Sequence, residues 1–205
     1  LPAPCSLLPA PCSLLPAPLF SPDSTPPCLV QLLTTTHHAQ VNTAAQAALV
    51  ASEARFPPAG VRGFGSPFTH GVWGTGMSAA EYLAGANGSV LVLVQIETRE
   101  AVGNLEAIAA VEGVDVLFIG PFDLSLSLGF PTPSPDPHPE VEKVIQHILQ
   151  VGHAAKKKVA IFCTSGAQAA IRAKQGFDMV NVTADTNVLT QGMASELAIA
   201  AGQAQ

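Results

Sequence analysis

Residues 90–123, VLVLVQIETREAVGNLEAIAAVEGVDVLFIGPFD, constrain the fold more than any other part of this chain. The run Val90 to Val94 is apolar throughout, rich in β-branched residues and too short for a helix. Such a run reads as a strand covered on both faces, as in a parallel sheet. Polar groups return at Gln95-Ile96-Glu97, where the strand should leave the sheet. Ala101, Leu105, Ile108 and Val111 then recur at helical spacing, which predicts an amphipathic helix over Arg99–Val111. Gly113 ends it, Val114–Ile119 reads as a second buried strand, and Gly120-Pro121-Phe122-Asp123 leads out. The stretch is a βαβ unit with a carboxylate just past each strand. A right-handed crossover brings both strand ends to one edge of the sheet, so Glu97 and Asp123 are expected to face one pocket.

The same alternation extends in both directions. Upstream, Leu29–Leu33 reads as a short strand, and Thr43–Ala54 as an Ala-rich helix with Asn42-Thr43 to cap it. Residues 56–65 read as a loop holding one short strand. A second loop, 66–76, carries Phe68, His70 and Trp73, and a helix over Ser78–Ala86 precedes the central strand. Downstream come a proline-rich loop from Pro131 to Pro139, a helix over Glu140–Lys156 and a strand over Val159–Cys163. A helix over Ser165–Gln175, a strand over Met179–Val182 and a helix over Thr186–Ala200 complete the order. Strands alternating with helices predict an α/β fold with a parallel sheet, either open or closed into a barrel. A complete (β/α)8 barrel takes about 250 residues. About 175 follow the N-terminal low-complexity segment, enough for five or six strand–helix units, so the barrel is expected to be incomplete on its N-terminal side.

That segment, residues 1–30, is a different kind of sequence. LPAPCSL stands at 1–7, repeats identically at 8–14 and decays to LPAPLFS at 15–21. Its regularly placed prolines exclude a coiled coil and favour polyproline-like disorder. No basic n-region marks it as a signal peptide. Cys5, Cys12 and Cys28 fit neither a zinc motif nor a disulfide framework and read as incidental thiols of a cytoplasmic protein. The domain division is thus a disordered 1–30 and a folded 31–205. With 48% hydrophobic and 12% charged residues the chain is globular, and a net charge of −6 argues against nucleic acid as a partner. No apolar run approaches the roughly 18–20 residues of a membrane span.

VQIETREAVGNLEAIAAVEGVDVLFIGPFDLSLSLGFP closely resembles the HpcH/HpaI family of metal-dependent pyruvate aldolases. RFPPAGVRGFGS upstream and FCTSGAQAAIRAKQGFDMVNVTADTNVL downstream are similar to the same family's flanking segments, so the resemblance covers about Val41 to Ala200. The resemblance implies a (β/α)8 TIM barrel, an oligomer of identical chains, and a divalent metal (Mg, Mn or Co). It also implies reversible cleavage of a 4-hydroxy-2-oxo acid to pyruvate or a related 2-oxo acid plus an aldehyde. By the same resemblance Glu97 and Asp123 are metal ligands, Gln95 touches the bound substrate, and Gly120, Pro121 and Phe122 present backbone amides to its carboxylate. The chemistry suits these residue types, because hard oxygen ligands hold such ions. A metal with open positions acts as a Lewis acid on a chelated 2-oxo acid. Without the resemblance, the simpler reading is that each carboxylate caps the following helix.

Other polar residues are less informative. A Schiff-base aldolase needs a buried lysine, whereas Lys143, Lys156, Lys157, Lys158 and Lys174 all read as solvated helix residues. A carboxylate pair of the glycosidase kind has no further support. The family's histidine base, in a D-x-E-H-like segment, and its substrate-binding arginine have no counterpart in this sequence. His37 and His38 begin the matching region outside that motif. His70, His138, His147 and His153 read as surface or structural residues, Arg62 as a loop anchor, and the general base stays unassigned. The alternative to an active aldolase is therefore an N-terminally truncated, catalytically incomplete homologue acting in assembly or interaction. Unpaired parallel edges would make such a chain prone to associate.

Overall fold

A computed structural model describes residues 14–16, 35–65 and 76–203. In chain order its elements are β1 (Leu14–Pro16), β2 (Thr35–His38), α1 (Ala44–Glu53), α2 (Ala79–Ser89), β3 (Leu91–Ile96), α3 (Arg99–Gly103) and α4 (Leu105–Ala109). There follow β4 (Val116–Ile119), α5 (Pro121–Leu128), α6 (Pro139–Ala154), β5 (Lys158–Phe162), α7 (Gly166–Lys174), β6 (Met179–Asn181) and α8 (Asp185–Ala200). They form two compact units, Phe20–Ala160 on the one hand and Ile161–Gln205 with Leu1–Leu19 on the other. Among the described residues no helix is long and apolar enough to cross a membrane.

The larger unit is built on the strand order β5–β4–β3–β2. β2 runs parallel to β3, with His37 opposite Leu93, and β3 runs parallel to β4, with Gln95 opposite Phe118. Side chains alternate between the faces of a strand, and the packing shows which face is which. A Cβ on Gly152 of α6 would run into Val159 and Leu117. Leu117 stands opposite Val94, so Val92, Val94 and Ile96 lie on the helix-covered face. All three are fully buried, as are Leu105 and Ile108 of α4 and Val141, Ile145 and Ile148 of α6. The opposite face carries His37, Leu93, Gln95 and Phe118. The βαβ reading of residues 90–123 therefore holds, with the functional residues on the side away from the helices.

Local chemistry fixes most boundaries. Thr43 and Ser78 begin α1 and α2 with capping boxes completed by Gln46 and Glu81. The expected helix over Arg99–Val111 is two helices, because Asn104 leaves helical geometry (φ −111°, ψ 14°). Its side-chain amide instead donates to the Asn42 carbonyl at 2.9 Å, a local use of Asn that competes with helix continuation. Asp123 is not followed directly by a loop. Pro121 occupies the first turn of α5, and Gly129 closes that helix at φ 88°, the Pro-start and Gly-stop arrangement of a short helix. The short strand expected within 56–65 is an irregular turn; Gly60 N–H donates to Phe56 O and Val61 N–H to Ser52 O. The strand expected at Leu29–Leu33 and the loop residues Phe68, His70 and Trp73 lie outside the described residues.

At the start of the strands the Lys157 side chain departs from the solvated reading, and Lys158 stays exposed but departs from the helical one. Lys157 donates to Val111 O and Val114 O, each at 2.8 Å, so it ties a loop rather than decorating a helix end. Lys158 opens β5, not a helix; its N–H donates to Asp115 O at the entry to β4, far along the strand from Glu97. Arg55 donates to Gly113 O at 2.6 Å and pairs with Asp115 at 2.9 Å, while Asp115 accepts the Val92 N–H at 2.8 Å. This half-buried hub joins α1, the loop before β4 and the first residues of β3.

In the smaller unit β6 pairs antiparallel with β1 (Leu15 opposite Val180). Cys163 N–H donates to Asn181 O. Burial pushes the Cys163 thiol up to about 11, so it stays protonated and unreactive. Ser165 caps α7, and Arg172 lies 5.9 Å from the Phe177 ring centre. α8 has no buried residue and exposes Val188, Leu189, Met193 and Leu197.

Replacing Arg55 by Ala leaves the Gly113 carbonyl and Asp115 without their shared donor. It is expected to cost about 1–3 kcal/mol in urea unfolding. Lys143→Ala removes an exposed i,i+3 pair with Glu140 and is expected to cost less than about 0.5 kcal/mol.

Candidate metal and substrate site

The exposed ends of β3 and β4 carry the residues singled out by sequence. Glu97 follows directly on β3 and is only 3% exposed. It does not cap α3; the Thr98 hydroxyl does, accepting the Ala101 N–H at 3.0 Å. The Glu97 carboxylate is instead held from two sides. Oε1 accepts the Gln40 backbone N–H at 2.9 Å, and Oε2 accepts from the Gln95 side-chain amide. Gln40 reaches it through a left-handed backbone (φ 53°), a conformation that costs a non-glycine residue about 1 kcal/mol or more. The loop containing Gln40 is fastened at Val41 N–H to Gln95 O (3.3 Å) and at Asn42, whose side-chain oxygen accepts from Thr98.

Asp123 lies in the first turn of α5 and is exposed. Its carboxyl is close enough to Glu97 to act on it both by charge and by hydrogen bonding. Burial, first, and then the Asp123 charge push the Glu97 carboxyl above its usual range, outweighing the Gln40 and Gln95 hydrogen bonds. The sign follows from linkage. A carboxyl raised in the folded state favours folding at acid pH, and that contribution is lost as pH rises through its folded pKa. Burial and the neighbouring Asp123 thus both act against the ionised form of Glu97, a penalty that a bound cation would relieve.

Gly120 makes the approach possible. A Cβ built on it would lie 2.7 Å from Glu97 Oε2 and 2.5 Å from Gln95 Nε2, so any other residue would fill the space between the strand ends. Pro121 is buried, and Phe122 keeps 36% of its surface exposed beside Asp123. The first helical bond of α5 runs from Leu124 N–H to Gly120 O at 3.0 Å, so the Asp123 amide belongs to a helix N-terminus, which favours anions. Gln95, Glu97, Gly120 and Asp123 therefore meet in one place. Among the described residues no third His, Cys, Asp or Glu joins them as a metal-binding group.

The residue that sequence reasoning passed over is His37. It lies on β2, its ring 4.8 Å from Phe118 and edge-on to it, and it shares a hydrogen bond with Gln95. Burial outweighs that bond and holds its pKa below the usual imidazole range. The signal was obscured because TTTHH reads as polar rather than as a strand. His138, His147 and His153 stand apart. His138 caps α6, its Nδ1 accepting the Glu140 N–H at 3.2 Å, and stacks on Phe130; His147 and His153 are exposed. Arg62 donates to the Tyr82 hydroxyl at 3.2 Å and lies 4.6 Å over the Phe56 ring, a loop anchor.

The site is thus a pair of acidic residues placed past two neighbouring parallel strands of an α/β unit. Residues 35–191 match the HpcH/HpaI aldolase/citrate lyase family. The chain belongs to that family. It is 39% identical over 150 residues to a hydroxypyruvate/pyruvate aldolase of Rhizorhabdus wittichii, covering 73% of this chain and 58% of that one. It is 40% identical over 160 residues to a 2-keto-3-deoxy-L-rhamnonate aldolase of Salmonella paratyphi B, covering 78% and 58%. The chain thus spans 58% of the length of these curated relatives. Among solved structures it resembles an HpcH/HpaI aldolase/citrate lyase family protein of Burkholderia cenocepacia (33% identity, TM-score 0.66, 80% of this chain and 63% of that one). The fold is also that of the HpcH/HpaI aldolase of Desulfitobacterium hafniense (24% identity, TM-score 0.70, 80% and 62%). The expected (β/α)8 TIM-barrel class is the right one.

Gly120→Ala is expected to destabilise the protein by about 1–3 kcal/mol through overpacking, although its φ of −99° suits alanine. Thermal melting checks this. Gly129→Ala, at positive φ with open space around the Cβ, should differ by losing stability through backbone strain alone.

Proposed function

We propose that this chain carries the pyruvate half-site of a metal-dependent aldolase, which reversibly cleaves a 4-hydroxy-2-oxo acid to pyruvate, or a related 2-oxo acid, and an aldehyde. The observation that carries the reading is the meeting of Glu97 and Asp123 beside a glycine whose side chain would block them. The donor set fits a divalent ion such as Mg, Mn or Co: two hard carboxylate oxygens, with the Glu97 carboxyl raised in pKa by burial and then by Asp123, a penalty that a cation would relieve. Glu97 and Asp123 would hold it, and when bound it would supply Lewis-acid stabilisation of the charge that develops on the 2-oxo oxygen as the C–C bond breaks.

The chain's own groups divide the remaining work. Gln40 N–H and the Gln95 amide fix the Glu97 carboxylate, so that no reorientation is needed on binding. The first-turn amides of α5 offer donors for the carboxylate of the 2-oxo acid. Gly120 keeps the space between the strand ends clear. The aldolase names of the relatives support the reaction class, and the exposed apolar residues of α8 support a homo-oligomer.

Pyruvate release from a 4-hydroxy-2-oxo acid tests this, with Mn2+ added or chelated. Release is expected to need the metal and to fall about 100-fold or more in Glu97→Ala. No release from soluble, folded protein would mark the chain as a catalytically incomplete member of its family.

A further inference from the structure

His37 has no role in the reading above, yet it stands on the same face of the sheet as the site. Its partner in register is Leu93, two residues before Gln95 and on the same side of β3. Phe118, opposite Gln95 on β4, takes the His37 ring edge-on at 4.8 Å. The three side chains thus form a slanting row across β2, β3 and β4, with Gln95 and Phe118 one same-face step below Glu97 and Gly120 and His37 one step lower.

The hydrogen bonds along this row have a direction. The Gln95 side-chain nitrogen gives one N–H to Glu97 Oε2, and in that orientation its oxygen can accept from an imidazole N–H. The His37–Gln95 bond favours the protonated imidazole, as a bond donated by the imidazole does. A donation from His37 N–H to the Gln95 oxygen agrees with that direction and leaves the Gln95 nitrogen on Glu97. His38, next along β2, and Glu97 and Asp123, at the strand ends, are the titratable groups nearest this row.

We propose that His37 is a positioning residue of this site: by donating to the Gln95 oxygen it keeps the amide nitrogen turned to Glu97, and so fixes the carboxylate that Glu97 offers to a divalent cation. The last step rests on the metal reading above; the first does not. Outer-shell partners that orient a ligand change metal affinity by about 10-fold or more when removed.

Two substitutions separate this role from packing. His37→Phe keeps a ring against Phe118 but has no donor. His37→Gln loses the ring but keeps a side-chain N–H. In the 15N-labelled, metal-free full chain, 15N relaxation of the Gln95 side-chain NH2 group reports its order. That order is expected to fall in His37→Phe and to be kept in His37→Gln. Mn2+ affinity by calorimetry is expected to fall about 10-fold in His37→Phe and to stay within about 2-fold of wild type in His37→Gln. Equal Gln95 order in all three proteins, or loss in His37→Gln with retention in His37→Phe, overturns the proposal. If wild type binds no Mn2+ the metal reading fails by itself, and the relaxation experiment alone decides whether His37 holds Gln95.

Discussion

The register of β3 against β4 is the constraint on which the site depends. Pairing Ile96 with Ile119 sets Glu97 beside Gly120, the one residue type that leaves room for its carboxylate and for the Gln95 amide. A slip of one residue would turn Gln95 and Glu97 to the helix-covered face. That slip is opposed by Val92, Val94 and Ile96, which would have to leave a fully buried layer. Core packing and site geometry are thus two faces of one strand pairing.

Around this pairing the chain fixes the pieces that carry each carboxylate. Asn42 accepts from Thr98 with its side chain and from Asn104 with its carbonyl, which fastens the β2–α1 loop over the end of β3. That loop delivers the Gln40 N–H to Glu97. On the other side, Arg99 N–H donates to the Ser127 hydroxyl at 2.9 Å and its guanidinium to Leu128 O at 2.7 Å. These bonds tie the start of α3 to the far end of α5, the helix that carries Asp123. Each ligand candidate is therefore held by the element that follows the other strand or by a neighbouring loop. Positioning of this kind lets a buried carboxylate with a raised pKa persist in the fold.

Much of this was legible in the sequence, and the exceptions have physical reasons. Residues 90–123 declared both strands because apolar, β-branched runs have few other uses, and the two carboxylates followed from parallel connectivity. The cap at Thr43 was read as local chemistry, and Ser78 and Ser165 were read only as helix starts, where the structure shows caps. α5 was not, because Pro-Phe-Asp-Leu-Ser-Leu-Ser-Leu alternates apolar and polar residues and gives no helical stripe; only Pro121 and Gly129 mark its limits. The break at Asn104 depends on Asn42, a partner distant in sequence. β2 was missed for a related reason. Thr35–His38 shows no apolar pattern, and His37 gains its meaning only from Gln95 and Phe118 across the sheet. Lys157 looked like a solvated helix end, but its ammonium reaches two carbonyls of a loop that sequence spacing does not bring near.

The central claim is that Glu97 and Asp123 together hold one divalent ion. Mn2+ binding followed by electron paramagnetic resonance tests it most directly, in the wild type and in Glu97→Gln and Asp123→Asn. The account predicts one bound ion per chain, lost in either variant while circular dichroism shows the fold unchanged. Binding that survives in both variants would contradict it.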